Sequence, residues 1–178
     1  MNTKKIVVIA LLIALEIILT RFLAIQTPTI RISLGFVPIA IIAIMYGPIY
    51  AGVAAAVADF MGVSFFSAIT PFPGFTVTAA LMGFVFGLFL YNHRDRHLGL
   101  VRICMAVLIV TIVLQFGLDT LWLQIITGRG FFEILPTRIV RTLIMLPLQL
   151  VCINLLVSER FYRHIARFMT DRSVNKTV

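Results

Sequence analysis

The chain has 178 residues, of which 61% are hydrophobic and 12% are charged, and its formal net charge is +8. A soluble domain of this length could not cover so much apolar surface, so the composition excludes an ordinary soluble globular protein. The apolar residues come in blocks of about 20, the length that a helix needs to cross a bilayer. We therefore predict an all-α integral membrane protein of one domain, a compact bundle of six transmembrane helices.

The blocks define six predicted spans in chain order. They cover residues about 5–24, 34–46, 48–66, 75–91, 100–126 and 134–156, with a short basic cytoplasmic tail over 157–178. The second block is short for a straight crossing, and Gly35 and Pro38 interrupt its beginning. Because irregular backbone at membrane depth is tolerated only where protein or a cavity surrounds it, we expect a short or irregular second helix buried among the others.

Two spans carry small residues at a spacing of four. Ala10 and Ala14 form a small-xxx-small face on the predicted cytoplasmic half of the first span, and Gly83 and Gly87 form a GxxxG face in the fourth. Such faces let two helices approach closely. From the residues alone, packing inside the bundle is the default interpretation of both.

Charged side chains fall within, or at the edges of, several spans: Glu16, Arg21, Asp59 and Asp119. A charge at the helix centre costs roughly 2.5–3.5 kcal/mol on insertion scales, so each should face protein or water rather than lipid. Ion pairing that locks helices together and a functional role are both open for Glu16 and Asp59.

The stretch QFGLDTLWLQ in the fifth span combines three polar or aromatic side chains. Gln115, Asp119 and Trp122 are spaced i, i+4 and i+7, which places them on one stripe of an α-helix. An amide, a carboxylate and an indole on one face indicate a wall for a flat, polar, aromatic ligand. Core packing would explain the tryptophan alone, and it explains the combination less well.

The segment VSFFSAITPFPGF, residues 63–75, is rich in phenylalanine, proline and glycine. Phe65 and Phe66 suit an aromatic belt at the membrane interface, and they equally suit a lid over a pocket. Arginines accumulate near the same predicted outer face, at Arg31, Arg129, Arg138 and Arg141.

Basic residues set the predicted orientation. Lys4 precedes the first span, Arg94 follows the fourth and Arg160 follows the sixth, and six spans place all three on one side. By the positive-inside rule that side, with both termini, is cytoplasmic. The net charge therefore reflects topology and anionic lipid rather than nucleic-acid binding.

Motifs for enzymatic chemistry are absent from the sequence. It contains no GxxxxGK[ST] loop, no HExxH and no GxSxG, and its cysteines and histidines match no metal-binding spacing. We therefore predict neither an enzyme nor a bound metal or cofactor.

The run RISLGFVPIAIIAIMYGPIYAGVAAAVADFMG, residues 31–62, together with the Ala10–Ala14 face, resembles the substrate-binding S components of energy-coupling factor (ECF) vitamin transporters. It is most similar to their folate-specific branch. The resemblance implies a bacterial plasma-membrane protein that captures a vitamin from outside. It further implies delivery through a membrane coupling protein and two cytoplasmic ATPases, with Ala10 and Ala14 contacting the coupling protein.

Folate suits the polar residues found. Its pterin can donate to a carboxylate and stack on an aromatic ring, and its two carboxylates suit arginine. The predicted substrate-binding residues are Arg21, Arg31, Phe65, Phe66, Gln115, Asp119, Trp122, Arg138 and Arg141. The alternatives are an S component for riboflavin, pantothenate or a thiamine precursor, and a small membrane protein with no transport role.

Overall fold

The structure is a computed structural model that describes residues 3–26, 31–66, 72–91, 100–128 and 130–157. The predicted cytoplasmic segment after the fourth span, the tail beyond 157 and residues 67–71 of the aromatic-rich segment lie outside the described residues.

Six helices occur in the described ranges, as predicted for the fold class. They are α1 Thr3–Arg21, α2 Phe36–Tyr46, α3 Pro48–Phe66, α4 Pro73–Leu90, α5 Leu100–Thr127 and α6 Phe131–Val157. Between α1 and α2 lies a short antiparallel hairpin, which sequence reasoning did not anticipate. Its strands are β1 Ile25–Gln26 and β2 Arg31–Ile32, with Ile25 opposite Ile32 and Gln26 opposite Arg31.

Four of these helices, α3 to α6, are long and apolar enough to cross a membrane by length and composition. Helix α1 has 19 residues, the same length as α3. However, α1 carries Lys4, Lys5, Glu16 and Arg21, so its charge sets it apart from the other long helices. The protein is therefore membrane-embedded, with one charged helix and one short helix completing the bundle.

The short helix α2 lies at the centre of the bundle. It is apolar on all sides, and it contacts α1, α3, α4 and α6. A helix that is hydrophobic all round is stable only when it is surrounded by other apolar groups. Its 11 residues rise about 16 Å, roughly half of the ~30 Å hydrocarbon core. The prediction of a short, buried second helix is thus confirmed. Gly47, with a φ of 89°, then turns the chain directly into α3.

Helices α3 and α4 share the most extensive contact in the bundle. Gly83 lies on the backbone of Ala51, and Gly87 lies on Pro48, so a Cβ at either glycine would overlap main-chain atoms of α3. The GxxxG face therefore packs two helices of the same chain together.

Helix α5 is not a regular α-helix throughout. Ile109–Leu118 form a π-helical segment between two α-helical parts. Within it the buried Thr111 hydroxyl donates to Gln149 Oε1 of α6 at 3.0 Å, and both side chains are fully buried. The π-helical conformation is rare, and it occurs frequently near functional sites. This segment ends immediately before Asp119.

One end of the bundle, here called the site end, is where α1, α3 and α5 finish and α4 and α6 begin. The alternating helix directions bring to this end Arg21 of α1, the last turns of α3, and the first turns of α4 and α6. The opposite end holds the α2–α3 turn, where Gly47 faces Tyr91 after α4. Most of the predicted binding residues therefore belong to one end of the molecule.

Candidate functional site

A cluster of charged side chains joins α5 to α6 at the site end. Asp119 Oδ2 lies 3.5 Å from a terminal nitrogen of Arg141, and Arg138 donates to the backbone carbonyl of Asp119 at 3.4 Å. Arg138 is 6% exposed. The Nε atoms of Arg138 and Arg141 are buried, and neither has a hydrogen-bond partner among the described residues.

This cluster contains two guanidinium groups and one carboxylate, so its net charge is positive. A buried charge that lacks a full counter-charge is expensive unless hydrogen bonds complete it. Arg138 and Arg141 therefore provide donors for an anionic or carbonyl oxygen of a ligand.

A second charged cluster joins α1, α3 and α4. Arg21 lies 3.9 Å from Asp59 Oδ1, and Thr76 donates to Asp59 Oδ2 at 2.9 Å. Gly62 makes room for Arg21, because a Cβ there would lie 2.8 Å from the arginine Nε. Of the two alternatives for Asp59, this geometry shows interhelical pairing, which holds Arg21 of α1 against α3.

Trp122 forms an aromatic wall with α4. Its ring lies 5.7 Å from that of Phe72, and its Nε1 donates to Thr78 Oγ1 at 3.1 Å. Thr78 in turn donates to the carbonyl of Gly74 at 3.2 Å. A Cβ at Gly74 would lie 2.6 Å from the indole, so only glycine admits the ring here. The ring contact with Phe72 and the hydrogen bond to Thr78 thus hold the indole in one orientation.

The three polar and aromatic residues predicted to share one stripe of α5 divide between two neighbouring helices. Gln115 contacts Met82 of α4, with its Nε2 3.9 Å from the sulfur, and Trp122 also faces α4. Asp119 instead meets Arg141 of α6. The i, i+4, i+7 argument assumed an α-helical period, and the π-helical segment through Leu118 changes that period.

The two predicted phenylalanines lie in the last turn of α3 rather than in a loop. Phe65 is 73% exposed and Phe66 is 53% exposed. Phe66 packs edge-on against Phe22, with ring centroids 5.5 Å apart. Among the described residues, the aromatic ring beside Trp122 is that of Phe72.

Arg31 is placed only by its backbone, which pairs with Gln26 in the hairpin, and its side chain lies outside the described part of the structure. The hairpin follows Arg21 directly in the chain, so Arg31 belongs to the site end.

An apolar groove of about 360 Å³ runs between α3 and α4. Its walls include Phe60, Val63, Phe72 and Val77, and its one hydroxyl is that of Thr76. Phe60 and Val77 are both exposed on the outside of the bundle. The groove therefore suits an apolar chain better than a polar vitamin, and it meets the second charged cluster only at Thr76, which bonds Asp59.

Ala10 and Ala14 are both exposed on α1, in contrast to the packed glycines of α4. Leu11 and Leu15 beside them are 65% and 39% exposed. This small-residue face is consequently free of contacts with the bundle's core, and it is open to lipid or to another protein.

Sequence reasoning singled out Asp59 as a carboxylate in an apolar span and left its role open, but it did not single out Phe72, Thr76 and Thr78. The two threonines and Phe72 gave no such signal, since hydroxyl and aromatic residues are ordinary in membrane helices. In the described part of the chain no three His, Cys, Asp or Glu side chains group as a metal site. The arrangement can recognise a flat ligand that offers hydrogen-bond donors, an aromatic face and anionic oxygens.

Comparison with known proteins gives a family for the chain. The sequence profile of the family described as "ECF-type riboflavin transporter, S component" matches residues 1–157.

Two curated relatives are folate transporters, both called FolT. The one from Clostridium novyi (strain NT) is 40% identical over 144 residues, which are 81% of this chain and 82% of the relative. The one from Leuconostoc mesenteroides subsp. mesenteroides is 27% identical over 172 residues, covering 94% and 91% of the two chains.

A solved structure, described as the crystal structure of FolT bound with folic acid, superimposes with a TM-score of 0.82 at 33% sequence identity. The match covers 89% of this chain and 95% of the other. The fold is therefore shared over nearly the full described chain.

Proposed function

This chain belongs to the family of ECF-type transporter S components, and from that premise we propose that it is the folate-binding subunit of such an importer. The family makes it a transport component rather than an enzyme. The observation that carries the ligand assignment is the structural match to a FolT that binds folic acid. The two curated relatives, both folate transporters, support the same ligand.

The chemistry of the site end supports folate as well. The pterin enters first, with its donors accepted by Asp119 and its ring stacked on Trp122. Arg138, Arg141 and Arg31 receive the remaining polar edge or the two glutamate carboxylates, which lie nearer to solvent.

The other predicted contacts have supporting roles in this arrangement. Phe65 and Phe66 cover the entrance from the end of α3, where their exposure leaves them free to meet a ligand. Gln115 lines the deep part of the α4–α5 wall, and Arg21 faces the ligand from α1 while it remains beside Asp59.

The coupling proposal concerns α1. A membrane coupling protein binds the exposed face of Ala10 and Ala14, because small residues allow close backbone approach. Two cytoplasmic ATPases attached to that protein hydrolyse ATP. The complex resides in the bacterial plasma membrane with the site end outside, and both termini are cytoplasmic.

Riboflavin is the second candidate ligand, because the matching family profile is described as a riboflavin transporter component. Isothermal titration of the purified protein with folate and with riboflavin decides between them. Mass spectrometry of any ligand carried through purification is an independent measurement. We expect tight folate binding, and binding of riboflavin alone would overturn the folate proposal.

A further inference from the structure

A polar pair joins α5 to α6 inside the apolar core. The Thr111 hydroxyl donates to Gln149 Oε1 at 3.0 Å, and both side chains are fully buried. Gln149 belongs to the buried stripe of α6, where its neighbours one turn before and one turn after, Met145 and Ile153, are apolar. The amide Nε2 of Gln149 is also buried, and it has no hydrogen-bond partner among the described residues. The pair is therefore only partly satisfied.

Stability explains this pair poorly. Hydrogen bonds between membrane helices add little stability on average, and a buried donor without a partner is costly. Two apolar side chains of the same shape would fill the space without that cost. A buried polar residue among apolar ones can instead fix the register of two helices, because a shifted helix would leave it without its partner. The pair between α5 and α6 suits this second role.

The pair has the same register as the ion pair at the site end. Asp119 follows Thr111 by eight residues along α5, and Arg141 precedes Gln149 by eight residues along α6. Because the two helices run in opposite directions, one relative placement of α5 and α6 satisfies both contacts. A shift that separates the buried pair would also move Asp119 away from Arg141.

The π-helical segment makes the rotation of α5 depend on such contacts. Thr111 lies near the start of this segment, Ile109–Leu118, which ends directly before Asp119. A π-helical hydrogen bond spans one residue more than an α-helical one, so a return to α-helical bonding would rotate the part of α5 that follows. Asp119 and Trp122 share the regular turns after the segment, and both would move together.

We propose, resting on the folate function above, that Thr111 and Gln149 are positioning residues for the ligand site. Their hydrogen bond fixes the register and the rotation of the outer part of α5. This placement directs Asp119 to Arg141 of α6 and Trp122 to α4. The buried pair acts on the ligand only through Asp119 and Trp122.

The test separates positioning from stability. Thr111→Val combined with Gln149→Met replaces the pair by apolar side chains of similar shape. Thermal unfolding of this purified variant without ligand should occur at or above the parental midpoint. Titration calorimetry should nevertheless show folate binding weakened by roughly 3- to 30-fold, the range for substitutions that act on a ligand through other residues. Met145→Leu, on the same stripe of α6, is the control and should keep the parental affinity.

Single variants of Thr111 separate its hydroxyl from its shape. Thr111→Ser keeps the hydroxyl and should bind folate within about twofold of the parental affinity. Thr111→Val keeps the shape, removes the donor and should weaken binding. Equal affinities for these two variants would overturn the proposal, because the hydroxyl would then have no part in positioning.

A double-mutant cycle with Asp119→Asn tests whether the pair acts through Asp119. In that background the apolar replacement of Thr111 and Gln149 should cost a factor at least about threefold smaller than in the parent, since the register no longer serves an ionic contact. Equal factors in the two backgrounds would overturn the proposal.

Two further results would overturn the positioning role. One is parental folate affinity in the doubly apolar variant. The other is an unfolding midpoint that falls together with the affinity, because the pair would then only stabilise the fold. Failure of the parent protein itself to bind folate would instead refute the proposed function and, with it, the role assigned to the pair.

Discussion

Asp119 meets two arginines in different ways, one through its carboxylate and one through its backbone carbonyl. Arg141 makes the ion pair with the carboxylate, whereas the hydrogen bond from Arg138 goes to the main chain. A substitution that neutralises Asp119 therefore removes the ion pair with Arg141, and with it the proposed acceptor for the ligand, while the hydrogen bond from Arg138 to the backbone persists.

We expect Asp119→Asn to weaken folate binding by about 1.5–3 kcal/mol, the range for a hydrogen bond to a charged group. Calorimetric titration of the purified variant measures the loss. Glu133→Gln is the matched control, because Glu133 is an exposed acidic residue in the first turn of α6 and its variant should bind like the parent. A parent-like affinity in Asp119→Asn would remove this residue from the site.

At the scale of residues, sequence reasoning could select side chains but not their partners. Asp119 and Arg141 stood out because a charge in an apolar span is costly. The pairing of Arg21 with Asp59 depends on how α1 lies against α3, which no local pattern encodes. The contact between Phe72 and Trp122 was missed for a similar reason, since it depends on how the start of α4 lies against α5. The binding role of the nine selected residues stays a prediction.

Helix α1 differs from the other long helices in its charge and in its exposure. Within the described residues, the helices that α1 contacts are α2 and α3, and its buried residues are Leu12 and Ile17. A helix so loosely packed presents most of its surface outward, including the small-residue face.

Replacing Ala10 and Ala14 together by leucine should abolish folate uptake in cells that contain the coupling protein and ATPases. Folate binding by the purified variant should stay at the parental value, because both alanines are exposed on α1 and neither is among the proposed ligand contacts. Uptake of labelled folate and copurification of the coupling protein are the measurements. Val101→Leu, at another exposed position, serves as the control. Normal uptake by the double variant would show that this face only contacts lipid.

Gly83 is packed against a neighbouring helix and Gly117 is not, so replacing each by alanine should change the stability of the protein in different directions. Gly83→Ala places a methyl group on the backbone of Ala51 and Gly52, so α3 and α4 must separate. We expect the free energy of unfolding to fall by about 1–3 kcal/mol. In Gly117→Ala the new Cβ has its nearest neighbour at 3.6 Å, which is an ordinary contact. That variant should be neutral or more stable by up to about 1 kcal/mol. Thermal unfolding of the two variants can be followed by circular dichroism. Equal unfolding midpoints for the two variants would contradict the close packing of α3 against α4.

At the scale of elements, the apolar blocks predicted the number of helices and the buried character of α2. The π-helical segment of α5 could not be predicted. It depends on contacts between helices, such as the buried bond from Thr111 to Gln149, and its residues read as an ordinary apolar helix. The hairpin before α2 was missed because two-residue strands leave no periodic signal.

The whole molecule has a polar site end, and the positive-inside rule predicts that the opposite end lies in the cytoplasm. Composition alone predicted a membrane bundle, since blocks of apolar residues have no other stable environment. The family followed from a resemblance in residues 31–62, and the comparisons confirm it. The two charged clusters and the aromatic wall at Trp122 are compatible with a flat polar anion as ligand, whereas the relatives support folate in particular.

The orientation of the protein in the membrane can be measured with a membrane-impermeant thiol reagent. The reagent is applied to intact cells that express a variant in which Cys104 and Cys152 are replaced. Gly130→Cys, between α5 and α6, is exposed at the site end and should react from outside. Reporter domains fused to the two termini should be active only in the cytoplasm. If Gly130→Cys reacts only after the membrane is permeabilised, the site end lies in the cytoplasm and the predicted orientation is wrong.

Trp122 is the single tryptophan of the chain, and it stands at the candidate site with its N–H bound to Thr78. Its ultraviolet emission therefore comes from one known position, with no background from other indoles. A pterin stacked on this ring would quench the emission by energy transfer or electron transfer. The unaltered protein thus contains its own optical probe, and stopped-flow mixing could follow ligand arrival and departure without an attached dye.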